Sequence, residues 1–172
     1  MKREEAISSM RGALDWLNAQ GHVKVITEPV DPILEIGAIM KSLDEGPVFQ
    51  VENVTGYPHA RMVGNMFARR DRVVKLLGAA DYSQCKYKIM NALKNPTPMK
   101  IVNKGHCQEI VIPREEVDPF ALFPMMKHTE RDGGRFFGSG VHFLGGKYFG
   151  GGSQLALYRM SFRGKDYASI NM

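Results

Sequence analysis

The segment Asn95-Pro96-Thr97-Pro98 constrains this chain more than any other. Each proline removes a backbone donor and pushes the residue before it out of the helical region, so no helix crosses here. The sequence changes character across it. Ahead of it, apolar residues recur at helical spacing between short β-type runs. After it, β-type runs alternate with Gly133-Gly134, Gly145-Gly146 and Gly150-Gly151-Gly152. Mixed helices and strands on one side predict an α/β domain over residues 1–98. Short strands with glycine-rich turns on the other predict a β domain over 99–172.

Within the first domain, Ile7, Met10, Leu14 and Leu17 predict one amphipathic helix over 3–19, stopped by Gly21. Trp16 is expected to serve helix packing. Val23–Ile26 reads as a strand. Asp31-Pro32 reads as the start of a second helix, with Ile33, Ile36, Met40 and Leu43 as its buried stripe and Gly46-Pro47 as its end. Val48–Val54 is a predicted strand, and Gly56-Tyr57-Pro58 a turn. Helices are expected over 70–77, ending at Gly78, and over 82–94, with Tyr87, Met90 and Leu93 on one side. In the second domain, strands are expected over 99–103, 107–112, 135–143, 154–163 and 166–171. Arg163-Gly164-Lys165-Asp166 reads as a hairpin turn.

Several function classes are disfavoured. No apolar run approaches the ~20 residues that span a bilayer. The start, Met1-Lys2-Arg3-Glu4-Glu5, has no signal-peptide core. Cys85 and Cys107 lie far apart, outside metal-ligand spacing, which fits a reducing, cytoplasmic setting. The net charge of +5 gathers at Arg61, Arg69, Arg70, Arg72 and Lys75. No aromatic ladder interleaves these cations, so a solvated helix face is preferred over a nucleic-acid groove. His59, His106, His128 and His142 have no partners at metal-site spacing, and structural or solvated roles are expected for them. Asp132, in Asp-Gly-Gly, reads as a turn residue.

Arg159 lies in the apolar strand Leu155-Ala156-Leu157-Tyr158-Arg159-Met160. A guanidinium stays charged, so burying it demands an anion such as a carboxylate or phosphate. The alternative is a strand-end arginine whose head reaches water. Ser139, in Phe137-Gly138-Ser139-Gly140, marks either a close approach to a ligand or a glycine-rich bend. Gln154 and Arg159 are five apart, so in a regular strand they face opposite sides. A shared site needs a bulge or strand end, for which the glycines at 150–152 are candidates.

The order of Val117-Asp118-Pro119-Phe120, Phe123-Pro124, Asp132-Gly133-Gly134-Arg135 and Leu157-Tyr158-Arg159 resembles the UbiD family of prenylated-FMN-dependent decarboxylases. Leu14 to Gly21, Val30-Asp31-Pro32 with Leu34-Glu35-Ile36, and Phe49-Gln50-Val51-Glu52-Asn53-Val54 with Gly56 resemble its N-terminal domain. The resemblance implies an α/β N-terminal domain followed by the first part of a split β-barrel of the flavin-reductase type. It implies reversible decarboxylation of an unsaturated or aromatic carboxylic acid, with carboxylation of a phenolic substrate as the same-scaffold alternative. A non-catalytic interaction module built on the basic stretch is the reading from another class.

By the same resemblance, Arg159 orients the substrate carboxylate and a catalytic glutamate. Ser139, Gln154, Leu157 and Tyr158 contact the cofactor, and Gln154 is the candidate ligand of a divalent metal, Mn²⁺ or Mg²⁺, with K⁺ as a further ion. Gln154 stands where the family has asparagine, and Ala156 where it has glycine. A flavin prenyltransferase as cofactor supplier and a homo-oligomer are also implied. After Arg159 the sequence holds Asp166 but no glutamate or histidine. The family's acidic residues therefore have no counterpart here. The expectation is an N-terminal portion, inactive by itself.

Overall fold

The computed structural model describes residues 3–97, 101–145 and 153–170; the side chains of Glu5, Ser139, Ser153 and Gln154 are outside this description. The chain gathers into two compact units. One comprises Met1–Glu28, Met40–Asn53 and Arg61–Val111; the other comprises Pro29–Ile39, Val54–Ala60 and Ile112–Met172. Among the described residues, no helix is long and apolar enough to cross a membrane.

The first unit holds the sheet β1 (Val23–Ile26), β2 (Val48–Val51) and β3 (Met62–Gly64), in that order. β1 and β2 are parallel, with Val23 opposite Val48; β3 returns antiparallel, with Val63 opposite Gln50. Val48, Phe49 and Val51 are fully buried, as the apolar run on a central strand requires. Ala13, Leu17, Val48 and Leu76 form the core, with Trp16 packed against it as expected.

Gly64 fits beneath Phe49 because it has no side chain: a Cβ there would fall on the buried Phe49 ring. Gly64→Ala is therefore expected to destabilise the chain by ~1–3 kcal/mol, measurable as a lower urea midpoint. An unchanged midpoint would mean that the ring moves aside freely.

The expected helix over 3–19 is two. α1 covers Arg3–Ala6 and α2 covers Met10–Asn18. Ser9 interrupts the run in extended backbone, and its hydroxyl caps α2 by accepting from the Gly12 N–H at 3.1 Å. Capping serines offer the backbone this alternative to helix. Gly12 also lacks the Cβ that would strike the Ala6 carbonyl.

α3 covers Glu35–Leu43 and begins later than Asp31-Pro32 suggested. Asp31 Oδ1 accepts from the Ile33 N–H at 2.7 Å, and Glu35 Oε2 accepts from the Asp31 N–H at 2.7 Å. Leu34 has φ 71°, which closes a turn and breaks any helix through it. Of the proposed stripe, Ile36 is buried, whereas Ile33, Met40 and Leu43 are half-buried. The strand expected over 48–54 ends at Val51; Val54 makes an isolated bridge to Val30.

α4 covers Arg70–Leu77 and ends as expected at Gly78, whose φ of 59° suits glycine. α5 covers Tyr82–Lys94, capped by Asp81, which accepts from the Gln84 N–H at 3.1 Å. Tyr87, Met90 and Leu93 are exposed, and Cys85 alone in this helix is buried.

Two expected strands are overturned. Residues 101–112 form no strand; they hold a 3₁₀ turn, His106–Gln108, followed by irregular chain. Ile101, Ile110 and Val111 are exposed. β-type composition makes a strand only where an edge receives it, and no described edge pairs here. Residues 99–100 of the first expected strand fall outside the described ones.

His22 meets Lys75 at 3.0 Å through Nε2. Burial, then the neighbouring Lys75 and Arg72 charges, holds its imidazole below the ordinary value of 6.5. The unfolded chain thus binds a proton that the folded chain refuses, so stability rises with pH through this window. Stability is expected to fall as pH drops from about 6.5 toward the lower folded value, and His22→Gln to flatten that limb. Chemical denaturation between about pH 5 and 8 checks this, and an unaltered limb in the variant would refute it.

The second unit holds an antiparallel sheet of β4 (Phe136–Gly145), β5 (Ser153–Phe162) and β6 (Ala168–Ile170), in that order. All three lie near their expected positions. The Arg163–Asp166 turn joins β5 to β6, closed by the Arg163 N–H donating to Tyr167 O at 3.3 Å. α6 (Pro119–Leu122) is capped by Asp118, which accepts from Phe120 N–H at 3.0 Å and pairs with Lys165 at 2.8 Å. Phe162 packs edge-on against Phe120 and Phe137, and Phe137 against Phe123. Tyr57 donates its hydroxyl to Phe120 O at 2.5 Å.

Candidate functional site on the β4–β5 ladder

β4 and β5 pair over most of their lengths, with Gly140 opposite Tyr158, Val141 opposite Leu157 and Phe143 opposite Leu155. Alternate residues of a strand take opposite faces. One face carries Val141, Phe143, Leu155 and Leu157, all exposed, with Leu157 at 70%. An apolar platform of four neighbouring side chains open to water is a feature that calls for a ligand or partner.

Arg159 continues that face one pleat beyond Leu157. It is exposed, and its guanidinium carbon stands 5.3 Å from the centre of the Phe136 ring. His128 stacks on the same ring at 5.0 Å. None of the ion pairs among the described residues includes Arg159. Its head therefore reaches water in this chain, held over an aromatic ring rather than by an acid.

Tyr158 faces the other way, its ring 5.5 Å from that of His142. Gln154 pairs through its backbone with Leu144, and its register position has the parity of Tyr158, not of Arg159. Ser139 lies in the one irregularity of the ladder, a register shift between Phe137 and Gly140. The shift sits in β4, and β5 runs through without one. The structure thus brings Leu157 and Arg159 to one face and leaves positions 154 and 158 on the other. The glycines at 150–152 lie outside the described residues.

Sequence reasoning missed Val141, Phe143 and Leu155 as members of this face, and Phe136 as the seat of Arg159. The signal was present as strict alternation about Leu157. The expected histidine roles are packing ones for His128 and His142. Each has a buried ring nitrogen without a hydrogen-bond partner, Nδ1 and Nε2 respectively.

Asp132 is a turn residue: its Oδ2 accepts from the His128 and Thr129 N–H groups at 2.9 and 3.0 Å. Those backbone donors, Thr129 first, hold its carboxyl below the ordinary carboxylate value. The hydrogen bond from Lys165 does the same for Asp118. Both are anions at neutral pH, unsuited to donate a proton there. No group of three or more His, Cys, Asp or Glu side chains among the described residues is placed to hold a metal ion. The described residues do not supply the oxygen-rich set that Mn²⁺ or Mg²⁺ requires, and no chemistry is assigned through a metal. An extended aromatic ring fits better, since the apolar platform and the adjacent cation suit a flat group with an anionic end.

The N-terminal-domain profile of 3-octaprenyl-4-hydroxybenzoate carboxy-lyase matches residues 14–91, and the Rift-related-domain profile of the same enzyme matches residues 100–172. An uncharacterized protein of Aeropyrum pernix is 25% identical, over 76% of this chain and 31% of its own length. The UbiD-class enzyme HmfF from Pelotomaculum thermopropionicum, solved with FMN, superposes with a TM-score of 0.83 at 24% identity, over 94% of this chain and 36% of that one. The apo 3,4-dihydroxybenzoic acid decarboxylase from Enterobacter cloacae gives 0.85 at 25% identity, over 94% and 36%. The vanillic acid decarboxylase VdcCD from Sedimentibacter hydroxybenzoicus, in its open form, gives 0.75 at 22%, over 93% and 35%. The chain spans about a third of the length of these relatives. With both of its sequence blocks matched in order, the chain belongs to the UbiD family of carboxy-lyases.

Proposed function

We propose that this chain forms part of a reversible decarboxylase acting on an unsaturated or aromatic carboxylic acid, with prenylated FMN as cofactor. The observation that carries the reading is Arg159, a guanidinium without an acidic partner among the described residues, at the end of an exposed apolar strand face. Prenylated FMN supplies the electron-accepting chemistry when bound. The part of this chain is to hold and orient. Leu155 and Leu157, with Val141 and Phe143 across the ladder, offer a flat apolar seat. Arg159 offers a two-pronged hydrogen-bond donor to a carboxylate. Ser139, Gln154 and Tyr158 are proposed as further cofactor contacts. Their role requires that the cofactor reach past the β4 irregularity to the other face. Gln154 remains the proposed metal contact, its partners to come from outside the described residues.

In this reading residues 1–98 form the N-terminal domain and 99–172 the opening strands of a split barrel. The complete enzyme is a homo-oligomer supplied with cofactor by a flavin prenyltransferase. The test is to co-express the complete protein with such a prenyltransferase and measure exchange of ¹³CO₂ into a panel of aromatic and α,β-unsaturated acids. Exchange that depends on the modified flavin is expected. A protein that binds the flavin yet exchanges none of the panel would overturn the proposed reaction.

A further inference from the structure

The first unit holds a cavity that the proposed reaction does not use. It has a volume of about 330 Å³ and opens between α2 and the β1–β2 part of the sheet. That size is at the lower end of small-molecule sites, ~300–1,000 Å³. Leu14, Val23 and Val25 give it an apolar lining. Val25 is 46% exposed although it lies in a strand, so this apolar surface is open to an occupant.

The charges around the cavity are Arg11, Arg61 and Asp15. Arg11 and Asp15 are four apart on α2, the spacing at which opposite charges meet across a helix turn. Yet neither residue, nor Arg61, takes part in any ion pair among the described residues. Two exposed guanidiniums and one exposed carboxylate thus line the same opening without pairing to one another. The side-chain amide of Asn18 adds a donor and an acceptor beside them.

We propose that this cavity binds a small carboxylic acid carrying a hydrogen-bond donor beside the carboxylate and a branched apolar body, that is, a 2-amino or 2-hydroxy acid. The arginines take the carboxylate, since their planar forks match it. Asp15 takes the ammonium or hydroxyl group. Leu14, Val23 and Val25 take the hydrocarbon. A plain carboxylate would leave Asp15 to water, and a plain amine would leave both arginines so, each forgoing one recognised contact. The site shares no residue with the β4–β5 ladder, so it stands or falls independently of the proposed decarboxylation.

The test is an NMR titration of the ¹⁵N-labelled chain with L-leucine, 2-hydroxy-4-methylpentanoate, 4-methylpentanoate and L-leucinamide. Saturable shifts at the Arg11, Asn18, Val25 and Arg61 amides are expected with at least one of the first two, at a Kd of about 1 mM or tighter. The last two, each lacking one recognised group, are expected to bind at least ~10-fold more weakly. Arg61→Gln, its spectrum still that of a folded chain, is expected to lose at least ~10-fold in affinity. No saturation by either of the first two ligands at about 10 mM would overturn the proposal. So would equal response to all four, or unchanged binding by Arg61→Gln.

Discussion

Arg159→Ala in the complete enzyme is expected to lower kcat/KM by ~10²–10³-fold, the scale on which removing one charge-stabilising donor acts. The fold should be nearly indifferent. Arg159 is exposed, and its guanidinium lies over the face of Phe136 at 5.3 Å. Such a contact at an exposed site contributes ~0.5–1 kcal/mol. Turnover and stability should therefore separate cleanly, with activity lost while the melting curve hardly moves. Arg159→Lys sharpens the test. Lysine keeps the charge but not the planar fork, so it should recover only part of the loss if a carboxylate is gripped by two donors. Near-normal turnover by the alanine variant would remove Arg159 from the site.

The opposite separation is expected at Arg72. This residue is 2% exposed, the most buried charged side chain among those described. Its Nη1 donates to Asn65 O at 2.6 Å and its Nη2 to Gly46 O at 2.7 Å. Asn65 sits at φ 59° and donates its own amide to Met40 O at 3.1 Å and Asp44 O at 3.2 Å. One side chain thus ties α4 to the loop before β2 and the loop after β3. The adjacent Asp71 is bound to Arg69 at 2.9 Å, so carbonyl dipoles rather than a carboxylate steady the buried charge. Burial accordingly pushes the Arg72 pKa below its ordinary value.

Arg72→Ala orphans two carbonyls and opens a cavity, with an expected loss of ~3–5 kcal/mol. That is a large share of the ~5–15 kcal/mol that holds a typical domain together. Arg72→Met refills the space without the hydrogen bonds. A methionine variant that unfolds at the parent's urea midpoint would show that volume, not bonding, is what Arg72 provides.

Arg72 also shows where sequence reading falls short. In the linear sequence it is one cation among Arg61, Arg69, Arg70 and Lys75, and a solvated face is the natural reading. Arg69 and Arg70 are indeed exposed. The chain burial of a single arginine depends on carbonyls at positions 46 and 65, which no local pattern reports. Exposure of Tyr87, Met90 and Leu93 has the same origin. Their helical spacing marks a face, but which face is covered depends on what packs there.

What the sequence determined by itself is local. Gly78 ends α4 because a left-handed residue terminates helices, and Asp132 makes a turn because its carboxylate reaches nearby backbone donors. The β4, β5 and β6 strands and the Arg163–Asp166 turn follow from alternation and turn chemistry. The family resemblance was also legible, since it rests on the order of short blocks. Tertiary structure alone decided whether residues 101–112 found a sheet edge, and where the ladder irregularity fell. It set Val141 opposite Leu157 and Phe143 opposite Leu155, joining both to the face that alternation gives Arg159. Strand faces alternate with a period of two, so one extra residue exchanges them. The register of β4 against β5, a property of two distant segments together, sets which residues can meet one ligand.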